Sequence, residues 1–301
     1  MRKFGIFLIS ALLIAVLVLM MVSTGLLPFF LPITSNKTQA PQISIPFTSK
    51  KTEVEEHEFP ATADLIVHSQ GGHVVVQGAE IDTFQVTLEK RGQSPNPVRA
   101  KQLVEHISFT VDSQEEVTTL KVEVPTTTPG EQACADLVIL VPQQLKLSVQ
   151  AGLGNVEISG LQGNIQAYSS LGGIKVKKFV GNAALESSLG NIWVHDSTFQ
   201  KELVALTNLG DLQIQGSLGE TNVLESKLGN LELLLSPHES YVLEGHINLG
   251  HFTAQVPFRG QQTKQHVQGI IGSGEQRGLL LVNLDLGSLR VKNQNDEGGS
   301  L

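Results

Sequence analysis

LGNVEI at residues 153–158 is followed by LGGIKV at 171–176, LGNIWV at 189–194 and LGDLQI at 209–214. The phrase returns as LGNLEL at 228–233, LGHFTA at 249–254 and LGSLRV at 286–291. Its glycines at 154, 172, 190, 210, 229 and 250 are 18, 18, 20, 19 and 21 residues apart. That period is too short for a helical-hairpin repeat and matches one coil of a β-solenoid. Two and four residues after each glycine stand Val156/Ile158, Ile174/Val176, Ile192/Val194, Leu212/Ile214, Leu231/Leu233, Phe252/Ala254 and Leu289/Val291. All are apolar, and the residue between them is mostly polar, which is the alternation of a half-buried strand.

A second alternating run precedes each glycine, as in Ile165-x-Ala167-x-Ser169-x-Leu171. Each coil therefore supplies two short strands meeting at a Leu-Gly corner. Glycine suits a corner because it accepts positive φ and close backbone approach. The Asn or Asp that follows at 155, 191, 211 and 230 suits one because its side chain bonds nearby backbone. One coil cannot bury its own leucines, so stability must come from neighbours above and below. The expected fold class is all-β, a right-handed β-solenoid or β-roll of the single-stranded type, with repeats of 18–21 residues. Stacked in sequence order, the coils bury Leu153, Leu171, Leu189, Leu209 and Leu228. The outward column then runs Glu157, Lys175, Trp193, Gln213, Glu232, Thr253, Arg290, with Glu157 and Lys175 placed to pair.

At the amino terminus, Arg2 and Lys3 precede an uncharged, largely apolar run from Phe4 to Leu27. As a helix this run is long enough to cross a bilayer, and it exceeds the core of a signal peptide. A single-pass membrane anchor over residues 1–33 is therefore expected rather than a cleaved signal peptide, with the amino terminus cytoplasmic and the rest extracytoplasmic. No cysteine lies near the run to be lipidated. Residues 34–60, rich in Ser, Thr, Lys, Glu and Pro, are expected to be a linker. Strands resume with DLIVHS from Asp64, HVVVQG from His73 and TFQVTLE from Thr83. They continue with HISFTV from His106, VTTLKVEV from Val117, DLVILV from Asp136 and LKLSVQ from Leu145. Val98–Glu105 is expected to be one short helix. One β-solenoid domain thus spans 61–291, regular from about 145, with 258–278 as a degenerate coil or loop and 292–301 as a disordered tail.

The chain resembles the bacterial putative-adhesin family of exported domains. The residues that carry the resemblance are a first strand followed by a Gly72-x-Val74-x-Val76-x-Gly78 hairpin, and Leu140-Val141-Pro142 before the repeats. Repeated Gly-Asn-Ile/Val phrases at Gly154, Gly163 and Gly190 complete it. The resemblance implies surface attachment without catalysis and brings no catalytic residues or cofactor.

Composition agrees with that expectation. Without Arg2 and Lys3 the chain has 19 basic against 29 acidic residues, a balance of −10 that disfavours nucleic acid as a partner. The single Cys134 cannot form an internal disulfide and reads as a small strand hydrophobe. His246 and His251 flank one corner and His68 and His73 another, but neither pair has metal-ligand spacing, so no metal site is expected. A carbohydrate-active solenoid enzyme is the alternative. Its carboxylates would be Glu186 and Glu225, which occupy equivalent positions with Leu206 on the coil between them. A membrane-anchored envelope-stress sensor is a third reading. The expected binding face is Lys175, Trp193 and Gln213 on consecutive coils, suited to a cell-wall polymer, glycan or surface protein.

Overall fold

The computed structural model describes residues 49–294. Their 22 strands hydrogen-bond into one continuous sheet, accompanied by one short helix, so the fold is all-β with a large sheet. The run Phe4–Leu27, residues 34–48 of the expected linker and residues 295–301 lie outside the described residues. Among those described, no helix is long and apolar enough to cross a membrane.

The amino-terminal part contains β1 (Ser49–Pro60), β2 (Asp64–Gly71), β3 (Val74–Ala79), β4 (Thr83–Ser94) and α1 (Pro97–Glu105). β5 (Ser108–Ser113), β6 (Val117–Glu123) and β7 (Gln132–Pro142) follow. The repeats form β8 (Gln144–Leu153), β9 (Val156–Ser159), β10 (Gln162–Leu171), β11 (Ile174–Lys177) and β12 (Val180–Leu189). They continue as β13 (Ile192–Leu209), β14 (Leu212–Ser217), β15 (Thr221–Leu228) and β16 (Leu231–Leu235). The carboxy-terminal part holds β17 (Glu239–Leu249), β18 (Phe252–Ala254), β19 (Phe258–Gln262), β20 (His266–Gly272), β21 (Glu275–Leu286) and β22 (Leu289–Asn293).

Strands of like position pair in parallel and form two ladders joined at the corners. One ladder runs β2, β8, β10, β12, the end of β13, β15, β21 and β17. The other runs β3, β9, β11, the start of β13, β14, β16, β22 and β18. Between them lies the core, built from the alternating apolar residues: Ile165, Leu185, Leu203 and Leu224 of the first ladder face Ile174, Ile192, Leu212 and Leu231 of the second, all at most 1% exposed.

Three columns run along the corner, one of glycine and two of polar side chains. Each corner glycine sits against the one before it: a Cβ on Gly172, whose φ is +153°, would lie 2.2 Å from the Gly154 carbonyl oxygen. Beneath it, Ser169, Ser187, Thr207 and Ser226 are buried and donate to the carbonyls of Gly154, Gly172, Gly190 and Gly210 at 3.0–3.2 Å. After it, Asn155 accepts from the Gly173 N–H, Asn191 from Asp211, Asp211 from Asn230 and Asn230 from Ser288, at 2.6–3.1 Å. The corner phrase is therefore (Ser/Thr)-x-Leu-Gly-(Asn/Asp), and each polar member satisfies backbone groups that the turn leaves unpaired.

Several expectations are corrected. The repeats do not stack in sequence order. β21 lies between β15 and β17, and β22 between β16 and β18, so Leu286 pairs with both Leu228 and Leu249. At the other end, β2 lies between β6 and β8, and β3 between β7 and β9. β2 and β3 share no pairing; Gly72 is another corner, with Gly71 in register with Leu153, and not the turn of a hairpin. The corner leucines stack in register but stand outside the core, 42% to 65% exposed from Leu153 to Leu286 and Leu249, because they sit where the chain turns and not within an alternating strand. Leu189→Ala is therefore expected to change unfolding stability by less than about 1 kcal/mol. Leu185→Ala, four residues earlier and 1% exposed, is expected to cost about 2–5 kcal/mol in the same denaturant titration.

Antiparallel strands extend the stack at both ends, β4 and β1 beyond β7, β5 beyond β6, and β20 and β19 beyond β17. Residues 49–60, expected as linker, are β1, paired along its length with β4, which pairs with β7. The segment 258–278 is no loop: β19 and β20 form an antiparallel pair on β17. Lys292 and Asn293, expected in the tail, complete β22. Helix α1 follows the sequence expectation closely, with Pro97 at its start and the Asn96 side chain accepting from the Val98 N–H at 2.9 Å. Its Arg99 reaches Glu131 at 3.0 Å; that guanidinium and the Thr128 N–H hold the Glu131 carboxyl down at about 2.

Candidate functional site

In the second ladder the outward side chain of each short strand lies between two core residues, so its direction is fixed by the core below. Lys175 pairs with Trp193 and Trp193 with Gln213, which brings the three expected residues onto consecutive strands of β11, β13 and β14. The flanking Ile174, Val176, Ile192, Val194, Leu212 and Ile214 are all at most 1% exposed. The full column runs Val75, Glu157, Lys175, Trp193, Gln213, Glu232, Arg290, Thr253, with the last two in the reverse of sequence order.

Trp193 is 36% exposed, and one edge of its ring is seated. A Cβ on Gly173 would meet the indole Cζ3 at 2.8 Å and the Asn191 carbonyl oxygen at 2.9 Å. The ring thus occupies the place where a side chain after the corner would stand, and the Asn/Asp column is interrupted there. The sequence carried this signal unread: among the phrases quoted above, LGGIKV alone has glycine after Leu-Gly, one repeat before the tryptophan. Packing on one edge fixes the indole and leaves part of the ring open to solvent.

Charge is also arranged differently from the expectation. Glu157 binds Lys177 at 3.2 Å and not Lys175. The Lys177 ammonium beside it pushes the Lys175 amine down, while Lys177, held by Lys175 and Glu157, is raised. At the other end Glu232 is paired with Lys292 and lies beside Arg290. The face therefore presents a cation, an aromatic ring and an amide between two ion pairs.

On the other ladder the Tyr168 hydroxyl bridges Ser170 and Ser188 at 3.2 Å each, and hydrogen bonds from these two serines lower its phenol pKa. Glu186 and Glu225 are separated by Leu206 in the register. His246 lies against His266, rings 4.5 Å apart, a partner that sequence spacing did not indicate because it comes from the capping pair. His73 accepts from the Asn155 N–H at 3.1 Å and so belongs to the corner column. Cys134 is half-buried and opposite Arg91. Among the described residues, no group of three or more His, Cys, Asp and Glu is placed to hold a metal ion.

No family model and no curated protein matches the chain. Solved structures do. A putative adhesin from Bacteroides fragilis NCTC 9343 is similar over 79% of this chain and 97% of its own, with 12% identity and a TM-score of 0.42. A putative adhesin from Parabacteroides merdae ATCC 43184 is similar over 79% and 96%, with 12% identity and a TM-score of 0.39. A putative lipid binding protein from Parabacteroides distasonis ATCC 8503 is similar over 80% and 97%, with 12% identity and a TM-score of 0.35.

Proposed function

We propose that the chain is a non-catalytic binding or scaffolding protein of the cell surface, of adhesin-like type. In this reading its repeats form a right-handed β-solenoid of the single-stranded type. The run Phe4–Leu27 is the single-pass anchor and the repeats are extracytoplasmic. The observation that carries the function is the column Lys175–Trp193–Gln213, three different polar-and-aromatic side chains on adjacent strands over a close-packed support. Such a row follows a linear polymer: the exposed part of the indole covers an apolar ring face, and its neighbours donate and accept hydrogen bonds. Because the core fixes the row, little order is lost on binding, and many weak contacts along a polymer add by multivalency. Glu186 and Glu225 do not stand on neighbouring strands, since Leu206 lies between them in the register.

The test is retention of the purified chain on immobilised wall polymers, glycans and surface proteins. Trp193→Ala is expected to weaken retention by about 10-fold or more, as an aromatic anchor at the centre of a contact does, with an unchanged far-ultraviolet spectrum. Full retention by the folded variant would move the site off this face. Release of sugar from any of these glycans, abolished by Glu186→Gln or Glu225→Gln, would replace binding by catalysis.

A further inference from the structure

Among the described residues, seven of the exposed large apolar side chains are the corner leucines, which form one continuous ridge. Its seven side chains stand one strand spacing apart, making a line about 30 Å long. At roughly half exposure each, they present about 600 Å², the upper end of what the largest apolar patch of a monomer covers and a size at which such patches are often functional. None of them is needed for the core, which closes beneath the buried Ser/Thr column.

We propose that this ridge is the interface of a symmetric dimer with a second copy of the same chain, the two ridges running antiparallel. Two ridges face to face, overlapping over six of the seven leucines, bury about 1,000 Å² from leucine alone, which is what a specific interface must clear before the flanks are counted. Leucines at the spacing of a β-ladder mesh rung by rung only with another row of equal spacing, which a second copy supplies. The flanks are small and uncharged over the first rungs, Gly152, Ser170, Ser188 and Asn191, so two backbones approach closely there. Charge appears only on later rungs, at Asp211, Lys227 and Asp285. An antiparallel dyad between Leu189 and Leu209 sets these against Asn191, Ser170 and Gly152 of the other copy, so no like charges meet. A lipid surface is the poorer occupant, since docking on anionic headgroups calls for a basic rim and the ridge is flanked by one lysine and no arginine.

The test is sedimentation equilibrium of the full chain in density-matched detergent, with oxidative cross-linking on a Cys134→Ser background. The expected result is a dimer whose dissociation constant rises by at least about 100-fold in the Leu189→Glu/Leu209→Glu variant. At dilutions where the parent is itself a monomer the two melting temperatures should agree, since both side chains stand outside the core. A Leu189→Cys chain mixed with a Leu209→Cys chain should cross-link on oxidation, and a Leu153→Cys chain should not cross-link to itself. A monomer at every concentration, or a dimer indifferent to the two glutamates, overturns the proposal. So does a Leu153→Cys homodimer, which would mean parallel ridges. Cross-linking of a ridge cysteine to a second cysteine introduced within residues 1–48 of the same chain would make that segment the occupant. Loss of liposome retention in the glutamate variant, without change of mass, would make it lipid.

Discussion

Gly172→Ala is expected to destabilise the protein by about 3–5 kcal/mol, read as a lower midpoint in urea unfolding. The new methyl would stand 2.2 Å from the Gly154 carbonyl oxygen, and φ of +153° is one that L-residues rarely adopt. Relief requires the ladder to open at this step. That stretches the bond from the Gly154 N–H to the Leu171 carbonyl, 2.9 Å, and the bond by which Ser169 donates to the Gly154 carbonyl, 3.2 Å. The buried serine would then lose its partner, adding the penalty of an unsatisfied polar group. A loss under about 1 kcal/mol would mean that the glycines do not stack in contact, and the register through the corner would have to be revised.

Phe199→Ala is expected to cost about 3–5 kcal/mol by leaving a cavity that the rigid strands cannot collapse to fill. Phe199 is 1% exposed and its ring lies 6.0 Å from that of Phe179, tilted by 47°. These two side chains close the core on the side away from the Leu-Gly corner, where the chain passes from the short strand of one repeat to the long strand of the next. Denaturant unfolding of Phe199→Ala and Phe199→Leu separates the cavity from the loss of the ring contact, since leucine restores most of the volume. If alanine costs no more than leucine, the pocket closes without the ring and the core there is looser than its burial indicates.

Strand alternation in the sequence located nearly every element because alternation is a local property. Val156/Ile158 and Leu231/Leu233 face inward whatever their neighbours do. The helix expected over Val98–Glu105 is likewise local, and the structure begins it one residue earlier at Pro97. Lys175, Trp193 and Gln213 came out adjacent because they fall within the run of repeats that stacks in sequence order. What failed was non-local. Whether Leu249 pairs with Leu228 or Leu286 depends on which edge the last strands reach, and LGHFTA and LGSLRV are equally good candidates for either place. The leucines were misplaced for a subtler reason. Continuing the alternation through Ser169 to Leu171 puts both on the inner face, yet the turn begins between them, so the serine stays inside and the leucine swings out. The capping role of 49–60 was invisible because its charged residues, such as Glu53 and Glu56, suit an exposed edge strand as well as a linker.

The insertion of β21 and β22 between earlier strands has a consequence for the life history of the chain. A stack that grew by adding each new turn to the last could mature while still being made. This one cannot. The edge offered by Leu228 and Leu231 waits for partners that come 58 residues later, as the bond from Ser288 to Asn230 shows. Until residues 275–293 arrive, β15 and β16 lack their upper neighbours, β17 is paired only with β20, and the ladder position of β18 is unfilled on both sides. Such long-range pairing is slow to form, because the intervening loop must be closed before any bond rewards it. The last strands made are thus the wedge that joins both sides at once. Synthesis runs from the amino terminus, so a prematurely terminated chain keeps two raw edges, and only a finished one is sealed.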